Sequence, residues 1–299
     1  MLNPKYANKV KLLIKCLPSI ASEECFAIKG GTAINLFCLN LPRLSVDIDL
    51  AYLPIEGREE TYQNIHKALD CITQKLKKIG LTVQSNGKDE RKLVCSDGIA
   101  DIKIEPNYNL RGYIYQPRNM EICEKAQDLF GYAEAQIISE AELWGGKICA
   151  ALDRQHPRDL FDIHNLFKTK GITTEIKKGF ISLLLAGNRP LHEILKPNFQ
   201  MNEDIFDKEF AGMTDESFSF DDAKQTFGNL VKELHKALTD KDKAMLLDFV
   251  QLKANLQNID IPNLDKLPGI KWKLKNLETL QKQNSKKFQE QYSKLKMSL

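Results

Sequence analysis

The sequence predicts an α+β fold: a mixed α/β sheet domain over residues 1–135, then a helical domain over residues 136–299. Three observations carry that expectation. Short runs in the first half alternate apolar and polar residues with period two, the mark of half-buried strands. From about residue 138 the apolar spacing turns helical and stays so to the end of the sequence. The composition, 42% hydrophobic and 28% charged over 299 residues, supplies enough apolar surface for a sizeable core.

Residues 5–16 fit a helix. Phe26-Ala27-Ile28 is a short apolar run suited to a buried strand, and Ala33, Ile34, Leu36, Phe37 and Leu39 fit one face of a helix. Lys29-Gly30-Gly31-Thr32 therefore sits at a strand-to-helix turn. Without Cβ atoms the backbone there can approach a phosphate closely, and the N–H groups of a helix start attract its charge. A turn that binds nothing leaves the same trace. Residues 43–50 alternate again, with Arg43, Ser45, Asp47 and Asp49 on one side and Leu44, Val46, Ile48 and Leu50 on the other. Two carboxylates side by side repel unless a cation, a proton or basic groups intervene. Magnesium, a hard cation with oxygen ligands, meets that need. Acidic residues are depleted in strands, so this pair beside a glycine turn points to metal and a nucleoside triphosphate, not to a solvated edge.

Residues 58–79 read as a long amphipathic helix ending near Gly80. Residues 81–84 and 93–95 are strand candidates about the turn-like Ser85-Asn86-Gly87-Lys88-Asp89. Residues 99–105 place Asp101, Lys103 and Glu105 on one face, so Asp101 or Glu105 is available as a third carboxylate; a cross-strand partner for Lys103 explains the pattern equally well. Ser139 with Glu142 is a capping-box signature, opening a helix through Leu143, Trp144, Lys147 and Ile148. Gly145 and Gly146 cost that helix roughly 1 kcal/mol each relative to alanine. Their place beside Lys147 suggests close approach by another backbone or a ligand. Pro157 suits the first turn of the next helix, which carries Arg158-Asp159 and Asp162. Asp162 can orient Lys147, bind metal or activate a hydroxyl; an i,i+4 pair with Arg158 explains it equally well. His156 and His164 share no metal-binding spacing. Further helices follow, with loops near residues 187–190, 196–198, 212–219 and 261–269.

Seven scattered cysteines, odd in number and without a C-x-x-C pair, argue for reduced thiols and a soluble cytoplasmic protein. Lysines interrupt the first fifteen residues, unlike a signal peptide, and the apolar runs are too short for a membrane span. Net charge is +3, but residues 271–299 hold eight lysines against Glu278 and Glu290, so this tail carries +6 and the remainder −3. Such a segment suits RNA phosphates, with Trp272, Phe288 and Tyr292 available for stacking; a solvated terminal helix has the same composition.

Lys-Gly-Gly-Thr-Ala, then Arg-x-Ser-x-Asp-Ile-Asp-Leu, then a helical lysine and Arg-Asp-x-x-Asp, resembles the AbiEii/AbiGii nucleotidyltransferase toxin family across residues 29–163. The resemblance implies a minimal nucleotidyltransferase-like mixed sheet domain joined to a helical domain that carries Lys147 and Asp162. It implies Asp47 and Asp49 as metal ligands, with Ser45, Asp47, Asp49, Lys147 and Asp162 catalytic. Lys29, Gly30, Gly31, Thr32, Ser45 and Lys147 would face the nucleotide. It further implies an Mg²⁺-dependent toxin that moves NMP from NTP to an acceptor, the tRNA 3′ end, opposed by a separately encoded antitoxin. The first motif lacks the Gly-Ser of other nucleotidyltransferases. A protein NMP-transferase, and a catalytically silent nucleotide- or protein-binding module, are the competing expectations; the intact D-x-D speaks against the latter.

Overall fold

The computed structural model describes residues 3–86 and 89–299. The chain divides into two compact units: Met1–Leu143 with Phe210–Ser217, and Trp144–Glu209 with Phe218–Leu299. The expected boundary after residue 135 falls earlier, because the last strand of the sheet runs through Ile137.

The first unit is built on a seven-stranded mixed sheet. Its elements are α1 (Pro4–Ala21), β1 (Phe26–Lys29), α2 (Gly30–Ala33) continued by a π-helical turn (Ile34–Cys38), β2 (Ile48–Tyr52), α3 (Arg58–Lys78), β3 (Thr82–Asn86), β4 (Asp89–Ser96), β5 (Asp101–Arg111), β6 (Arg118–Glu121), α4 (Glu124–Phe130) and β7 (Glu134–Ile137). The strand order is β3-β4-β5-β2-β1-β7-β6, which puts β2 at the centre. β1 runs antiparallel to β2 and parallel to β7, while β2 runs parallel to β5. The hairpin expected around residue 87 is present as β3 paired with β4, though Gly87 and Lys88 lie outside the described residues.

The period of two sorts this sheet into an oily and a polar face. Ile28, Ile48, Leu50, Ile104 and Ile137 are almost wholly buried, and α1 packs against β1, β5, β7 and α3. Lys29, Asp49 and Glu105 alternate with them and are only partly covered. The strand expected over residues 43–50 forms ladder bonds only from Ile48; residues 43–47 lead into it outside the ladder, buried from Arg43 to Val46 and partly covered at Asp47. That segment is tied down from far along the chain. The Leu44 N–H donates to the Met213 carbonyl at 2.8 Å, and Thr214 Oγ1 donates to the Pro42 carbonyl at 2.7 Å. These bonds explain why residues 210–217 belong to the first unit.

The second unit is helical, with α5 (Glu140–Asp153, entered from the first unit), α6 (Pro157–Thr169), α7 (Thr174–Ala186), α8 (Leu191–Leu195), α9 (Glu203–Phe210), α10 (Phe220–Ala237), α11 (Asp240–Val250), α12 (Pro268–Gln283) and α13 (Ser285–Ser298). Of the glycine pair in α5, Gly145 has the expected cause. A Cβ on Gly145 would overlap the backbone of Gly179 in α7, so the two helices meet glycine to glycine. A Cβ on Gly146 would meet only the Leu183 side chain, at 3.3 Å. Gly145→Ala should therefore force the helices apart and cost about 1–3 kcal/mol. Gly146→Ala should be close to neutral, because about 1 kcal/mol of helix propensity offsets a contact that a flexible leucine can relieve. Urea midpoints of the two variants check this; equal midpoints would show that the α5–α7 contact is not tight.

Candidate active site

The strand-to-helix turn is present where the sequence placed it. Lys29 ends β1 in extended conformation and Gly30 opens α2 with φ +70°, a region that disfavours residues with a Cβ. A Cβ at Gly30 would also overlap the Asp49 carboxylate, and one at Gly31 would lie 2.6 Å from the Arg43 guanidinium and 3.3 Å from Ser45 Oγ. The glycines thus let a helix start lie directly against the acidic segment. The first N–H groups of any helix have no intrahelical acceptor, so these point positive charge at the same place.

Thr32 fastens the two segments. Its Oγ1 lies 2.5 Å from the Asp47 carbonyl and 2.9 Å from Ser45 Oγ. The carbonyl can only accept, so the threonine proton goes there and the Ser45 hydroxyl donates to Thr32. Thr32 is 1% exposed and Ser45 7%. In this arrangement both hydroxyls hold the turn against Asp47; for either to reach a phosphate, it must turn away from that bond.

The register sets Glu105, and not Asp101, beside Asp49. Asp49 faces Lys29 on β1 and Glu105 on β5, and Glu105 pairs with Lys92 of β4 at 3.1 Å. Lys29, Asp49, Glu105 and Lys92 thus form one row across four strands, two carboxylates between two ammonium groups. Asp101 pairs instead with Ser96, four residues away at the exposed end of β5. The row borders a cleft of about 260 Å³ that also takes in Asn107. Among the described residues no three His, Cys, Asp or Glu side chains converge as a metal site; Asp49 and Glu105 are adjacent oxygen donors of the kind a hard divalent cation takes, and Lys29 and Lys92 flank them.

The second expected constellation lies in the second unit. Lys147 Nζ bridges Asp159 Oδ1 at 2.8 Å and Asp162 Oδ2 at 2.9 Å, with all three residues at most 6% exposed. Arg154 adds Nε to Asp159 Oδ2 at 2.6 Å and Nη2 to Oδ1 at 3.1 Å. Burial pushes the Asp159 carboxyl up, but the Lys147 and Arg154 charges outweigh it and hold the group well below the usual carboxylate range. Asp162 thus serves Lys147, one of the roles expected of it, while Arg158 turns to His156. His156 Nδ1 accepts from the Arg158 N–H at 3.1 Å and caps α6.

Two residues do more than the sequence assigned them. Asp159, expected only to share a helix face with Asp162, takes both Lys147 and Arg154. Glu142 does more than cap: its carboxylate accepts from Ser139 Oγ at 2.7 Å and from the N–H groups of Ile114 and Tyr115 at 2.9 and 3.2 Å. Burial pushes the Glu142 carboxyl up despite those bonds.

A glycine helix start pressed against Asp49 of the central strand, with Asp47 just before that strand, is an arrangement suited to nucleotidyl transfer. The family described as "Nucleotidyl transferase AbiEii toxin, Type IV TA system" matches residues 11–262, and the chain belongs to it. The membership expected from the motifs is borne out, and the match extends well past residue 163. The fold resembles that of the nucleotidyltransferase toxin MenT4 from Mycobacterium tuberculosis, with TM-score 0.62 at 14% identity over 91% of this chain and 93% of that one. No curated protein matches the chain. Among the described residues no helix is long and apolar enough to cross a membrane.

Proposed function

We propose that this nucleotidyltransferase toxin uses Mg²⁺ to transfer NMP from an NTP to RNA, with the 3′ end of tRNA as acceptor and a separately encoded antitoxin as its restraint. The observation that carries the reading is the Gly30–Asp49 contact: the helix start and the acidic row are pressed together with no room for a side chain between them. Asp47 and Asp49 would hold the metal. A bound divalent ion would neutralise charge on the triphosphate and its leaving group.

The remaining chemistry belongs to the chain. Helix-start N–H groups at Gly30 and Gly31 bind phosphate oxygens, and Lys29 and Lys92 add positive charge at either end of the row. An acceptor hydroxyl attacks the α-phosphorus in line; the new O–P bond forms as the α–β anhydride breaks and pyrophosphate leaves. Positioning and charge neutralisation supply most of the acceleration in such transfers. Lys147 enters through its motif alone; in the structure its ammonium is held by Asp159 and Asp162.

Incubation with each α-labelled NTP, Mg²⁺ and bulk bacterial tRNA tests the proposal. Label should enter tRNA with the wild type and not with Asp47→Ala. Label entering protein alone would replace the RNA acceptor with a protein one, and transfer by Asp47→Ala would remove the metal assignment.

A further inference from the structure

The family match ends at residue 262, yet the chain continues into a helical pair, α12 and α13, that concentrates its positive charge. Of the eight tail lysines, Lys273 is not surface charge. It is 7% exposed and its Nζ donates to the carbonyls of Gly187 and Arg189, at 2.9 and 2.6 Å, just beyond the end of α7. Burial pulls its pKa down to about 8. Lys271, Lys275, Lys282, Lys286, Lys287, Lys294 and Lys296 are all exposed, and none of these seven forms an ion pair among the described residues. By contrast, Lys177 pairs with Asp242 at 2.6 Å and Lys178 with Asp260 at 2.8 Å. Only Glu278 and Glu290 temper the tail.

The lysines are also arrayed. Residues 271, 275 and 282 recur at four and seven, which keeps them on one stripe of α12 about 16 Å long. Beside that stripe Trp272 is 51% exposed, and Lys275 Nζ lies 5.9 Å from its ring centroid. An exposed indole among unpaired ammonium groups is what a single-stranded or end-frayed polynucleotide engages, by stacking and by phosphate neutralisation. A protein partner would favour a desolvated apolar centre, and here Phe288 is turned inward, 2% exposed.

We infer that the α12–α13 surface, led by Lys271, Lys275, Lys282 and Trp272, is an RNA-docking face. The inference rests on the RNA-acceptor reading above.

The chain contains two tryptophans, and Trp144 is fully buried, so fluorescence quenching by added RNA reports on Trp272. Bulk tRNA should quench the full-length wild type. In Lys271→Gln/Lys275→Gln/Lys282→Gln the slope of log K against log salt should fall by about 2, and affinity at 50 mM salt by on the order of a hundredfold. The variant should bind NTP as the wild type does. Unchanged affinity and slope in the triple variant, with the wild type still binding tRNA, would overturn the docking face and leave the acceptor reading standing. A wild type that binds no tRNA and labels only protein would overturn both. Polyglutamate quenching as strongly as tRNA would reassign the face to an acidic protein.

Discussion

Asp49→Asn should lower nucleotidyl transfer by about a thousandfold while leaving the unfolding midpoint nearly unchanged. The substitution keeps the volume beside Gly30, where no further atom fits, and removes only charge. Losing one charged group aimed at a developing transition state typically costs 10²–10³ in rate, and a metal ligand sits at the upper end. Stability should hold because Asp49 is one of two closely spaced carboxylates, and removing one relieves their repulsion. Glu105→Gln should be milder, on the order of tens-fold, since Glu105 already shares its charge with Lys92. Steady-state transfer and thermal melts on both variants check the ordering. An Asp49→Asn protein that turns over normally would remove Asp49 from the reacting centre.

Lys147→Met should give the largest loss of stability in the molecule. The lysine is 6% exposed and its ammonium is shared by two carboxylates that are 1% and 0% exposed. Breaking a buried pair by removing one partner costs about 3–5 kcal/mol, which for a unit of this size lowers the melting temperature by roughly 6–20 °C. The pH dependence has a definite sign. Asp159 has a depressed carboxyl in the folded state, so its contribution is complete above the unfolded carboxylate value of about 4 and is lost as pH falls towards the folded value. The wild type should therefore lose stability steeply below pH ~4. Lys147→Met should show a flatter acid limb, because part of what depresses Asp159 has gone. Parallel melts from pH 3 to 7 check this; superimposable acid limbs would show that Lys147 does not govern the carboxyl.

Much of this was legible because the signals are local. Gly30-Gly31 at a strand-to-helix junction, the alternation around Asp47 and Asp49, the Ser139–Glu142 cap and Pro157 at a first turn each depend on a handful of neighbouring residues. What escaped depends on partners far along the chain. β6 and β7 are four residues each, too short to show a period, and β7 is fixed by Ile137 meeting Ile28, more than a hundred residues away. Asp101 and Glu105 are equivalent in sequence; only the β2–β5 register puts Glu105 beside Asp49. Lys273 reads as one more basic tail residue, yet it is buried against the chain end of α7. Residues 43–47 alternate like a strand but make their tie to Met213 instead of a ladder.

The central claim is that the Gly30–Asp49 centre moves a nucleotidyl group, breaking the α–β bond of an NTP. Matched reactions with α-labelled and γ-labelled NTP test it most directly, read for label on the acceptor and for released pyrophosphate. The account predicts label on the acceptor from the α position only, with one pyrophosphate released per nucleotide transferred. Label arriving from the γ position, with NDP as the product, would contradict it.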